Sequence, residues 1–178
     1  MIHVLEKHIA DKIAAGEVID RPVSIIKELL ENSIDAGADQ ITVEIRNGGK
    51  SYIRVTDNGS GIEAGDMETA FLRHATSKIS SVRDLDAIGT LGFRGEALAS
   101  ICAVARVELI SKTADAKMGR RVVTEGSEIL ANEGIGCPEG TTVTVQDLFY
   151  NVPARQKFLS SDNGESRRII DMVSRIAL

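Results

Sequence analysis

Residues 41–56 hold two alternating runs, ITVEI and YIRVT, on either side of Asn47, Gly48 and Gly49. Side chains alternate between faces along a strand, so such runs joined by an Asn-Gly turn predict an antiparallel β-hairpin with one buried face. Two helical patterns precede it. The first spans His8 to Val18; the second starts at Pro22, favoured in a first helical turn, and ends near Gly37, favoured just past a helix end. DNGSGI then closes the second strand with a turn. Helical spacing returns in AGDMETAFLRHA, GEALASICAV and ESRRIIDMVSRIAL, and strand alternation in RVELISK, RRVVTEG and TTVTVQDLF. Helices followed by hairpins predict an α+β fold, with helices covering one face of a mixed, mostly antiparallel sheet, and argue against a doubly wound parallel one.

At 178 residues the chain suits one domain, or one domain with the beginning of a second. Hydrophobic residues at 43% and charged residues at 26% match soluble globular proteins, with no disorder signature. The polar-interrupted opening MIHVLEKHIADKIAAGEV is neither a signal peptide nor a membrane span, which predicts a cytosolic protein without membrane attachment. Cys102 and Cys137 differ too much in setting for a zinc site and read as unpaired structural thiols. A net charge of −5 argues against a strongly basic nucleic-acid grip, although Arg120 with Arg121, or Arg167 and Arg168 with Arg175, could touch phosphate. Aromatic residues are 3% with no tryptophan, leaving little from which to build base-stacking platforms. The last helix stops on Ile176, Ala177 and Leu178 without a cap or polar tail, so a longer natural chain is expected.

KELLENSIDAGA, residues 27–38, splits cleanly around a helix. Ile25, Ile26, Leu29, Leu30, Ser33 and Ile34 take one half, and Lys27, Glu28, Glu31, Asn32 and Asp35 the other. Glu28 and Asn32 stack on one line, as do Glu31 and Asp35, and only Lys27 with Glu31 pairs opposite charges. Like charges at that spacing repel, and asparagine is a poor mid-helix residue. A solvated face is the ordinary explanation, and a cation site is the alternative. DNGSG, residues 57–61, is what any tight turn prefers, but Gly61 would also let backbone pass close to a ligand while Asp57 accepts from an amine. LGFRGEAL, residues 91–98, places two glycines ahead of a helix start, where free N–H groups favour an anion; a flexible loop explains it equally. It lacks the P-loop and Rossmann patterns. HATSK, residues 74–78, offers hydroxyls and an ammonium near a helix end, and its His74 reads as structural. Arg155 and Lys157 suit a basic loop or a solvated turn.

Taken together and in order, ENSIDAGA, DNGSGI, HATSK, LGFRGEALASI, GTTVTV and DLFYNVPARQKFL resemble the N-terminal ATPase region of the MutL family of DNA mismatch-repair proteins. GFRGEAL and NVPARQKFL are specific to that family. The asparagine helix and DNGSG extend across its superfamily of type II topoisomerase ATPase domains, Hsp90 chaperones and histidine kinases. The resemblance implies a Bergerat-type α/β sandwich binding ATP and Mg²⁺ across residues 1–178. It implies that Asn32 ligates Mg²⁺ and that Glu28 is the catalytic carboxylate acting on the attacking water. Asp57 would accept from the adenine amine with Gly59 in its turn, Gly61 would let the base approach, and Thr141 would support the base from its strand. Thr76, Ser77 and Lys78, with Gly92, Phe93, Arg94, Gly95, Glu96, Ala97 and Leu98, would close over the phosphates.

By the same resemblance, ATP drives homodimerisation of the full-length protein, the arm Met1 to Gly16 reaching over the partner's site. A MutS-type mismatch-recognition protein, a downstream endonuclease or helicase, and weakly bound DNA would be the partners, in a bacterial-type cytoplasm. A second, transducer subdomain supplying a lysine to the γ-phosphate and a C-terminal dimerisation domain would lie outside these residues. Two functions follow: a slow Mg²⁺-dependent ATPase switch in mismatch repair, or a nucleotide-gated assembly module with little or no hydrolysis. No phosphoacceptor histidine region supports a kinase, and the two specific motifs disfavour a chaperone.

Overall fold

The computed structural model describes residues 6–72 and 96–177, with side chains of the first helix from Ile13 onward. Helices α1 (Lys7–Val18) and α2 (Pro22–Asp35) lead into strands β1 (Ile41–Arg46) and β2 (Tyr52–Asp57). After α3 (Ala97–Val104) come β3 (Arg106–Lys112), β4 (Gly119–Glu125), β5 (Glu128–Ile135) and β6 (Gly140–Gln146), then α4 (Pro153–Phe158) and α5 (Asp162–Ile176). The six strands form one sheet in the order β1-β2-β6-β3-β4-β5. Every pairing among the described residues is antiparallel, in keeping with the expected mostly antiparallel sheet.

Strand β6 lies between β2 and β3, which makes it the joint of the sheet. Its Val143 and Val145 stand beside Val55 and Ile53 on one side and Leu109 and Val107 on the other. All six are buried. Burial of each such side chain stabilises by about 1.5–3 kcal/mol, so this row holds the two halves together. Helix α2 packs on β1 and β2, α3 on β3 and β4, α1 on α3, and α5 on α2 and the hairpin turn. The helices therefore cover one face in the expected α+β manner, in a layer two helices deep at its ends.

The opposite face is polar. Glu44, Arg54, Thr144, Glu108, Arg121 and Glu133 run across all six strands, with Arg54 paired to Glu44 and Arg121 bridging Glu108 at 2.6 Å and Glu133 at 2.7 Å. The Glu108 and Glu133 carboxylates push the Arg121 guanidinium still further above its ordinary value.

Local chemistry sets the turns. Helix α2 ends with Gly37 at φ 74°, the Gly37 N–H donating to Ile34 O and the Ala38 N–H to Ser33 O, the paired bonds of a Schellman cap. The β1–β2 turn is a 3₁₀ turn, Asn47–Gly49, rather than a two-residue connection. A Cβ on Gly49 would stand 2.7 Å from Pro22, and one on Gly48 would stand 2.7 Å from Asp162 O, so the turn is pressed under α2 and α5.

Two expectations fail, and one strand went unmarked. The segment 64–72 of AGDMETAFLRHA is turns and a short 3₁₀ helix, Thr69–Phe71; Met67 and Phe71 are buried at helical spacing, but the chain between them makes only isolated turn bonds. NVPARQKFL is not a loop: Pro153 starts α4. Strand β5 had no strand signal because it is an edge whose Ile129 and Leu130 are exposed. Its two-residue turn, Gly126 at φ 59° and Ser127 at φ 72°, has the positive-φ pair of a type I′ hairpin.

Candidate functional site

At one end of the helix-covered face the sheet changes from apolar to polar. Register places Asp57 of β2 beside Thr141 of β6, and Thr141 beside Ser111 of β3. These three continue the rows of Val55, Val143 and Leu109, so they point toward the helices. Asp57 Oδ1 accepts from Gly59 N–H at 2.9 Å and from Thr141 N–H at 3.2 Å. Its Oδ2 accepts from the Ser33 hydroxyl of α2 at 2.7 Å. Ser111 Oγ lies 2.9 Å from Thr141 Oγ1 and from Gly140 O, and accepts from Ile62 N–H at 2.9 Å.

The DNGSG turn is fastened on both sides. Asn58 Oδ1 accepts from the N–H groups of Asp39 and Gln40 at 3.1 and 3.0 Å, and Ser60 N–H donates to Ala36 O at 3.0 Å. On its other side Gly61 lies against the Lys112 backbone, where a Cβ would overlap the carbonyl oxygen. Gly59 lies against Ala36, with room for no Cβ.

Helix α2 buries Ile25, Ile26, Leu29 and Leu30, and most of its polar half is also partly covered. Glu28, Glu31, Asn32 and Asp35 are half-buried, whereas Ile34, assigned to its apolar half, is 39% exposed. Lys27 is the exposed member of the polar set and reaches Glu31 at 3.2 Å. Glu28, Asn32 and Asp35 are each engaged in polar interactions. Near the helix start, burial raises the Asp20 carboxyl, but the Ser24 hydroxyl and the Arg21 guanidinium outweigh it and hold the group below its ordinary value.

No cluster of three or more His, Cys, Asp or Glu among the described residues is placed to hold a metal. Asn32 is half-buried, and its carboxamide oxygen is the hard donor type that Mg²⁺ takes.

Glu96 occupies the N-cap position of α3, with Ala97 and Leu98 in its first turn. Thr76, Ser77, Lys78, Gly92, Phe93, Arg94, Gly95 and His74 lie outside the described residues. Cys102 is buried and Cys137 half-buried, and neither is in a disulfide. Sequence reasoning missed Ser33 and Ser111. Each had a signal: a serine inside an apolar stripe, at the helix position after Asn32 and at the end of the Val107, Leu109, Ser111 alternation.

The pattern described as histidine kinase-, DNA gyrase B-, and HSP90-like ATPase matches residues 21–134. The chain is 60% identical over 177 residues to the DNA mismatch repair protein MutL of Agathobacter rectalis, covering 99% of this chain and 27% of that one. It is 53% identical over 177 residues to the MutL of a Thermoanaerobacter species, covering 99% and 29%. The chain belongs to the MutL family. It spans less than a third of the length of these MutL relatives. Among solved structures, the Aquifex aeolicus MutL ATPase domain complexed with ADP superposes with a TM-score of 0.74 at 36% identity, over 90% of this chain and 56% of that one. The N-terminal domain of a DNA repair protein superposes with a TM-score of 0.76 at 31% identity, over 92% and 47%. MutL membership and these neighbours carry the ATPase-domain fold to this chain.

Proposed function

We propose that residues 1–178 form the ATP-binding unit of a DNA mismatch-repair protein, which binds ATP with Mg²⁺ and hydrolyses it slowly as a conformational switch. The observation that carries this is the make-up of α2. One helix presents the covered Glu28–Asn32 line and, at the next residue, the hydroxyl bonded to Asp57, so a single nucleotide can meet both. Asp57, an acceptor-only carboxylate in a fixed setting, receives the adenine amine; Thr141 and Ser111 brace the strand end behind it. Glu28 orients the attacking water and takes its proton. Asn32 holds Mg²⁺, which when bound supplies charge neutralisation for the phosphates. Thr76, Ser77, Lys78 and Gly92 to Leu98 enclose the phosphates. This division suits phosphoryl transfer, where positioning and charge stabilisation do most of the catalysis.

The switch acts in the longer protein through homodimerisation, with Met1 to Gly16 crossing to the partner's site. A MutS-type protein, an endonuclease or helicase, and DNA respond to the closed state. Such work belongs in the bacterial cytoplasm, and no helix among the described residues is long and apolar enough to cross a membrane.

Titration with a non-hydrolysable ATP analogue and Mg²⁺ tests the site. One saturable event is expected, weakened about 10- to 100-fold by Asp57→Ala, the range for a hydrogen bond to a charged group. Asn32→Ala should make binding less dependent on Mg²⁺. Glu28→Ala should bind normally and lose about 100-fold or more in turnover of the longer protein, as removal of a general base does. Turnover unchanged by Glu28→Ala would reject its role. Retained assembly without turnover would identify assembly, not hydrolysis, as the output.

A further inference from the structure

The three donors to Asp57 are not equivalent. Oδ1 already accepts two backbone N–H groups, from Gly59 and Thr141, which fills both of its lone pairs. Among the described residues Oδ2 accepts only the Ser33 hydroxyl, so within that set one lone pair of this carboxylate remains for a ligand, and it lies on the oxygen Ser33 holds. Ser33 is 3% exposed, and its Oγ also stands 3.1 Å from Leu29 O one turn back. A hydroxyl has one proton, and a carboxylate is the stronger acceptor, so that proton goes to Asp57.

We propose that Ser33 is the specificity-determining residue for the base. By fixing Oδ2 it leaves a single, aimed acceptor, which takes a ligand amine and rejects a ligand carbonyl. It also makes α2, the helix of Glu28 and Asn32, a direct participant in base selection. The proposal rests on the adenine-nucleotide reading above and adds a residue to it. Without the Ser33 donor, the backbone bonds to Oδ1 remain, but the Oδ2 side takes up water. A water there donates to a base carbonyl as readily as it accepts from an amine, so discrimination falls even where affinity survives.

The test is calorimetric titration of the chain with ADP and with inosine diphosphate, which carries a carbonyl oxygen where ADP carries the amine. Wild type, Ser33→Ala and Ser33→Thr are compared after thermal melts establish that each is folded. Wild type should prefer ADP by about 100-fold, the upper range for a hydrogen bond to a charged acceptor. Ser33→Ala should cut that preference about tenfold, and Ser33→Thr, which keeps the hydroxyl, should restore most of it. Equal loss of affinity for both nucleotides in Ser33→Ala, with the preference intact, would make Ser33 merely structural and overturn the proposal. An unchanged preference in a fully binding Ser33→Ala would overturn it equally. Wild type binding the two nucleotides alike, or neither, would instead overturn the adenine-nucleotide reading and take this proposal with it. Should Ser33→Ala melt below the assay temperature, Ser33→Thr and Ser33→Cys decide: a preference graded with donor strength supports the proposal, and an ungraded one overturns it.

Discussion

Gly61 sits at the end of the DNGSG turn with φ of 73°, and a Cβ there would overlap the carbonyl oxygen of Lys112. The resemblance assigned this glycine to the approach of a base, yet the fold already requires it: β2 and β3 could not close around the strand end otherwise. The two explanations separate by experiment. Left-handed backbone costs a non-glycine residue about 1–2 kcal/mol, and a forced backbone shift costs about 1–3 kcal/mol more. Gly61→Ala should therefore lower the free energy of unfolding by about 3 kcal/mol in urea, without any nucleotide present. Stability within about 0.5 kcal/mol of wild type, the scatter of ordinary surface substitutions, would return the glycine to the ligand alone.

At the scale of elements, α4 acts as a brace. The Arg155 guanidinium lies 5.9 Å from the centre of the Phe149 ring and occupies the space into which a Cβ on Gly16 of α1 would project. A glycine inside a helix costs about 0.5–1 kcal/mol relative to alanine, so propensity alone predicts that Gly16→Ala stabilises. Here the added methyl group expels the guanidinium from the last turns of α1, where a cation is also favoured by the helix dipole. Gly16→Ala should therefore be neutral or destabilising in the wild-type chain and stabilising in an Arg155→Ala background. A double-mutant cycle by chemical denaturation should give a coupling of about 1 kcal/mol, and a value under about 0.3 kcal/mol would dismiss the brace. This contact shows why some of the molecule was legible in sequence and some was not. Periodicity marked α1, α2, α3, α5 and five of the six strands, because each buries one face against the same core. It could not mark α4, which buries no residue of its own, or β5, whose apolar residues face outward. Asp57 stood out in its own turn, whereas Thr141 was named through the family resemblance alone. Only the insertion of β6 beside β2 makes them neighbours, and no local pattern encodes that insertion.

On the scale of the whole molecule, α2 is clamped at both ends by independent devices. Its C-terminal end is held through Ala36 to the DNGSG turn and through Ser33 to Asp57. Its N-terminal end meets α5, where Glu165, fully buried, accepts from Ser160 N–H at 2.9 Å and lies 3.9 Å from the Arg21 guanidinium. The start of α5 is tied in turn to the hairpin turn, where Lys50 and Asn47 bind Asp162 and hold its carboxyl below the usual range. If the clamps are separate, stability and nucleotide affinity can be altered one without the other. Glu165→Ala leaves the part-buried Ser160 N–H without its acceptor and Arg21 with Asp20 as its remaining carboxylate partner, a loss of about 1–3 kcal/mol. Ser33 and Asp57 keep their mutual hydrogen bond and Asp57 its two backbone donors, so affinity for ADP should change less than threefold while the melting temperature falls. Because ligand binds only the folded chain, ADP at 100 times its dissociation constant should then return about 2.7 kcal/mol to both proteins alike. A loss of affinity in step with the loss of stability would show instead that α5, α2 and the strand end respond as one body, and that the site reads the packing of the chain's last helix.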